Sequence, residues 1–129
     1  MTDTASSLPR PRPPSDDIIS PEQRQALLRN GRRTSAGEDI DPHPVVKLFL
    51  PDGGATWLLT EMDPAEPDRA FGLCDLGLGF PESGYCSLAE IRALRGPLGL
   101  AVEREQHFIA DRQLSAYADV AHDRRRIET

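Results

Sequence analysis

Two short apolar runs separated by Pro51-Asp52-Gly53-Gly54 constrain this chain more than any other feature. Residues 44–50 (PVVKLFL) and 55–62 (ATWLLTEM) have the length and the β-branched and aromatic content of strands. The Asp-Gly step between them favours a tight reversal, because glycine takes positive φ without steric cost. A β-hairpin is the expectation. With Asp52-Gly53 as a two-residue turn, Leu48 falls opposite Trp57 and Val46 opposite Leu59. Val46, Leu48, Leu50, Trp57 and Leu59 then share one face.

The loop DPAEPD (residues 63–68) turns the chain again, and residues 69–76 read as a third antiparallel strand. If Met62 pairs with Arg69, Ala70, Gly72 and Cys74 join the Trp57 face, while Phe71, Leu73 and Asp75 point the other way. Apolar residues on both faces require a cover for the second face. Glycines 77, 79 and 84 and Pro81 follow, then a short strand at Tyr85-Cys86.

Helices are marked by their ends. Ser20-Pro21-Glu22-Gln23 has the chemistry of a capping box with proline at the first helical position, and Asn30-Gly31 reads as the stop. This first helix carries a short apolar stripe, which suits docking at the edge of the domain. Ser87-Leu88-Ala89-Glu90 opens a second helix that Gly96-Pro97 ends, residues 100–103 suggest a strand, and Leu114, Tyr117, Ala118 and Ala121 recur at helical spacing. The fold class expected is α+β, an antiparallel β-meander packed with two or three short helices. Residues 1–17, rich in Ser, Thr, Asp and Pro, predict a disordered tail, and residues 18–127 a single domain. The PRPRPP run in the tail is read as a spacer rather than a recognition motif.

Fifteen Lys and Arg against 21 Asp and Glu give a formal net charge of −6, which opposes direct attraction to nucleic acid. No apolar run is long enough to span a bilayer, and Cys74 and Cys86 form neither a disulfide framework nor a CxxC pair, so a cytoplasmic setting is expected. The spacing of Gly79 and Gly84 matches a phosphate loop, but Tyr85 and Cys86 stand where Lys and Ser or Thr would be needed. Glu82 likewise replaces the third glycine of a dinucleotide fingerprint. The glycines therefore read as a shaped turn, with no cofactor implied. Cys74, Cys86, His43, His107 and His122 lack zinc-ligand spacing, so no metal is expected.

Glu61, Asp75 and Glu82 are the carboxylates flanking the best-ordered region, and they form the candidate interaction or ligand surface. Strand alternation assigns Glu61 to the Trp57 face and Asp75 to the Phe71 face, leaving Asp75 and Glu82 as the pair able to converge. A bland role for Asp75 is to accept hydrogen bonds from its own glycine turn.

The runs WLLTEMDP, RAFGLCDLGLGFPESGYCSLAEI and GPLGLAVEREQHF resemble a bacterial family known as domain of unknown function 2958. The positions closest to the family pattern are Trp57, Glu61, Gly72, Asp75, Gly77, Pro81, Glu82, Gly84 and Phe108. The resemblance implies a small cytoplasmic protein often encoded near plasmid, conjugative-element or prophage genes, and it brings no catalytic set. A non-enzymatic interaction module with a protein partner is the leading expectation. Two alternatives are a metal-dependent hydrolase or nuclease using Asp75 and Glu82, and an acidic inhibitor of a nucleic-acid-handling defence complex.

Overall fold

The structure, a computed structural model, describes residues 17–129. All of the expected tail except Asp17 lies outside the described residues. Helix α1 (Pro21–Ser35) leads into β1 (Val46–Phe49), β2 (Thr56–Met62), β3 (Arg69–Asp75) and β4 (Glu82–Ser87). Helix α2 (Leu88–Ala93), β5 (Glu103–Arg104) and α3 (Leu114–Arg124) complete the chain. The strands form one antiparallel sheet in the order β4-β3-β2-β1-β5, which with three helices is the expected α+β class.

The hairpin register is as the alternation required, with Leu48 opposite Trp57 and Val46 opposite Leu59. Val46, Leu48, Leu50, Trp57 and Leu59 are buried together with Ile18, Ile19, Leu27, Leu88 and Ile91 in one core layer. Fully burying a side chain of this size stabilises by about 1.5–3 kcal/mol, so this layer contributes much of the driving force for folding. On the opposite face Leu58 and Leu73 pack with Leu114, Tyr117, Ala118 and Ala121 of α3. That helix is the cover that apolar residues on both faces demanded.

Several local expectations need correction. Helix α1 does not stop at Asn30-Gly31 but continues to Ser35, and it lies across central strand β2 rather than at the edge. The reason is a β-bulge between Leu59 and Glu61, which shifts the β2–β3 register by one residue. The bulge turns the Thr60 carbonyl towards the helix, where Asn30 Nδ2 donates to it at 2.9 Å. Beside it Gly31 lets the helix approach so closely that a Cβ there would sit 1.8 Å from the Met62 carbonyl oxygen. The Asn-Gly pair is thus a docking contact. The same bulge pairs Met62 with Ala70 instead of Arg69 and puts Met62 into the Trp57-side core. Glu61 is consequently opposite Phe71, not on the Trp57 face. Finally, β4 is a six-residue strand paired with Arg69 to Cys74 of β3, whereas residues 100–103 supply only the start of the two-residue β5 and an isolated bridge at Ala101.

Helix α1 has the full capping box, with Gln23 N–H donating to Ser20 Oγ at 3.1 Å and Ser20 N–H donating to Gln23 Oε1 at 2.9 Å. Helix α3 has no side-chain cap of its own at Gln113. Its cap comes from across the fold. Ser115 N–H and hydroxyl both donate to the Asp41 carboxylate, and Leu114 N–H donates to the Pro42 carbonyl at 3.0 Å. Just before the helix, Asp111 receives Arg112 Nε at 2.9 Å and the Tyr117 hydroxyl at 2.9 Å. At the other end of the described chain Asp17 accepts two hydrogen bonds from Arg92, at 3.1 and 2.8 Å, which tie the segment carrying Ile18 and Ile19 to α2.

Gly31→Ala should destabilise the fold by about 1–3 kcal/mol, because helix and strand must separate to admit a methyl group, and denaturant unfolding measures this. The Arg112 and then Tyr117 hydrogen bonds hold the Asp111 carboxyl well below the ordinary carboxylate range, at about 2. A depressed folded-state pKa stabilises above the unfolded value and loses that contribution as pH falls through the folded one. A carboxyl-detected NMR titration should find the Asp111 midpoint near 2, returning to the ordinary range in an unfolded control.

Candidate interaction site at the glycine-rich end of the sheet

The β3–β4 loop begins where Asp75 closes β3. Asp75 is 3% exposed, and both its oxygens are engaged by backbone donors: Gly77 N–H at 2.8 Å and Ile127 N–H at 3.0 Å. The expected role in the glycine turn is present, and a second bond fastens the segment that follows α3. Gly77 has φ +80°, and its Cα side rests against Gly54 of the β1–β2 turn, where a Cβ would lie 3.0 Å from the Gly54 Cα. Conformation and close approach both call for glycine here.

The same end of the sheet gathers a third loop. Asp52, in the β1–β2 turn, accepts Leu98 N–H at 2.7 Å and Leu100 N–H at 3.3 Å on Oδ2, so the loop between α2 and β5 is hung from the hairpin turn. Asp52 Oδ1 is buried against Gly96 with no hydrogen-bond partner among the described residues. Three loops with tethered roots therefore meet, and two of them, the β3–β4 loop and the α2–β5 loop, carry apolar side chains into solvent. Leu78 is 74% exposed, Phe80 73% and Leu98 81%, with Leu76 and Leu100 also exposed.

The three candidate carboxylates do not form one surface. Glu61 and Asp75 are buried, and Glu82 alone is exposed. Glu82 lines a shallow recess of about 300 Å³ with Phe80, Pro81, His122 and Arg125, and Asp75 is outside that lining. Each Asp75 oxygen already accepts a backbone N–H, and the side chain does not reach the recess that Glu82 lines. Among the described residues no three His, Cys, Asp or Glu side chains gather as a metal site.

A second recess, of about 340 Å³ and mainly apolar, opens between β4 and α2 and is lined by Trp57, Leu76, Tyr85, Leu94, Cys74 and Cys86. Cys74 lies opposite Trp57 across the strands, as the register required. Both thiols are half-buried and free. Hydrogen bonding with the Cys86 thiol holds Cys74 below the ordinary thiol range, while the same interaction and burial push Cys86 up. On the other face of the sheet, the Arg69 guanidinium sits 3.9 Å from the Tyr85 ring centroid, and Phe71 meets the Tyr85 ring edge-on at 5.1 Å. Asp68 anchors the junction of β4 and α2, accepting the Ser87 hydroxyl and Ala89 N–H, both at 2.7 Å.

The exposed leucines and Phe80 were not among the candidate residues. Their signal was the alternation LGLGF, in which each large apolar residue is flanked by a glycine that cannot help to bury it. Fold and site together define a small α+β domain with a rigidly rooted, apolar-tipped loop cluster. The chain belongs to the family described as Protein of unknown function (DUF2958), which it matches over residues 18–128. No curated protein and no solved structure matches it. Among the described residues no helix is long and apolar enough to cross a membrane.

Asp75→Ala should leave Gly77 and Ile127 N–H groups without their acceptor and cost about 1–3 kcal/mol. Amide hydrogen exchange should show faster exchange at both positions, with a larger acceleration there than at the Leu27 amide in α1.

Proposed function

We propose that this domain is a non-enzymatic protein-interaction module, serving as a cytoplasmic accessory factor of a bacterial mobile element. It engages a protein partner through the loop cluster around Leu78 and Phe80. The observation that carries this reading is the concentration of large exposed apolar side chains on loops whose roots are fixed by Asp75, Gly77 and Asp52. Contiguous exposed apolar surface costs solubility and marks interaction sites in soluble domains. Fixed roots reduce the ordering cost when a partner binds. The partner this surface fits is a protein presenting an apolar patch. Glu82, exposed beside Phe80, supplies an acidic rim that would favour a basic residue at the partner's edge. Of the three carboxylates, Glu82 is thus the one that faces a partner, while Asp75 holds the loop in shape.

A photo-crosslinking residue at position 78 or 80 should capture one and the same protein in cells, and a residue at exposed Gln25 on α1 should not. With the crosslinking residue moved to exposed position 76, Leu78→Ser with Phe80→Ser should lower that capture by about tenfold or more, equivalent to at least 1.4 kcal/mol, without changing the melting temperature. Equal capture at positions 25 and 78, or capture indifferent to the double substitution, rejects the reading.

A further inference from the structure

Strand β4 is the edge of the sheet, and the phase of its hydrogen bonds can be fixed from one contact. Leu88 N–H donates to the Asp68 carbonyl at 2.9 Å, one step beyond the Arg69–Ser87 pair in the same register. Bonded and open pairs alternate along an antiparallel ladder. Ala70–Cys86, Gly72–Gly84 and Cys74–Glu82 are therefore the bonded pairs. Asp63 N–H donating to the Arg69 carbonyl, at 2.9 Å on the other side of β3, requires the same phase. Ser83 and Tyr85 consequently turn their N–H and C=O groups away from β3, along the free edge.

Among the described residues no strand pairs with that edge, and its own sequence carries no guard. Within residues 82–87 there is no proline, no lysine and no bulge, and Glu82 is the one charge. The opposite edge, β5, is only two residues long and both are charged. Gly84 sits at the centre of this edge, and nothing among the described residues explains it. Its φ is outside the left-handed region, and a Cβ there would meet no atom of the described residues within 4 Å. A glycine in mid-strand that its own chain does not need marks the approach of another backbone.

We propose that β4 pairs with β4 of a second copy of this chain, antiparallel about a two-fold axis at Gly84. The phase fits. Ser83 and Tyr85 of one copy face Tyr85 and Ser83 of the other as bonded pairs, giving four backbone hydrogen bonds, and Gly84 meets Gly84 as the close, open pair. Glu82 then faces Cys86, so no like charges oppose one another. The second copy is favoured over a foreign strand because the edge is self-complementary about the residue whose identity is otherwise unexplained. Pairing joins two five-stranded sheets into one of ten and removes both open edges.

The test is sedimentation equilibrium on the full chain. The wild type should sediment at twice the 14.2 kDa of one chain. Gly84→Lys has room in the single chain but sets two ammonium-bearing side chains on Cα atoms about 4.5 Å apart in the pair, so it should halve the mass with the circular dichroism unchanged. Gly84→Glu should do the same, and mixing the two variants should restore the doubled mass. If the lysine variant fails to fold, Ser83→Pro decides, because it removes an outward N–H that β3 does not use. A wild type at single-chain mass at all concentrations overturns the proposal. So does a folded Gly84→Lys or Ser83→Pro variant that stays at doubled mass, or a mixture that remains at single mass. Dimerisation and the partner capture at Leu78 and Phe80 are separate readouts, so either can fail while the other stands.

Discussion

Every layer of this domain is fastened to strand β2. It is the middle strand of five, covered by α1 on one face, while Leu58 packs under α3 on the other. A strand enclosed on both sides has no water to satisfy a stray backbone group, so the bulge after Leu59 demands an internal partner. Asn30 meets that demand at the Thr60 carbonyl, and the Thr60 hydroxyl donates to the Phe71 carbonyl at 3.2 Å. Helix position, bulge and β3 register are thus a single arrangement, held by a contact between an amide side chain and one displaced carbonyl.

Features governed by local pattern were legible in the sequence. The hairpin register followed from alternation and a turn, the α1 cap from four residues, and the buried face of α3 from Leu114, Tyr117, Ala118 and Ala121 at helical spacing. What misled was a residue pair with two uses. Asn-Gly ends helices because both residues tolerate the left-handed conformation, but a helix also employs them where it must touch a backbone. Only the tertiary neighbour, Met62, distinguishes the two, and the same hidden bulge reversed the facing of Glu61. The cap on α3 was equally out of reach, since Asp41 lies 74 residues from Ser115.

At the candidate site the chemistry was legible and the geometry was not. Asp75 was recognisable as an acceptor for its own turn, and that bond is present. Its second acceptor role towards Ile127 depends on where α3 ends, which no spacing rule reaches. Reading the carboxylates as the exposed feature gave weight to charge, whereas in the folded chain the solvent-facing residues of the loop are its leucines and Phe80.

Helix α3 is gripped at both ends by groups from distant parts of the chain, Asp41 before it and Asp75 after it. Its docked position therefore depends on both the linker and the sheet. Once docked, it shares a carboxylate with the loop that carries Leu78. A molecule that immobilises that loop would slow the fraying of the C-terminal segment, because one carboxylate accepts from both Gly77 and Ile127.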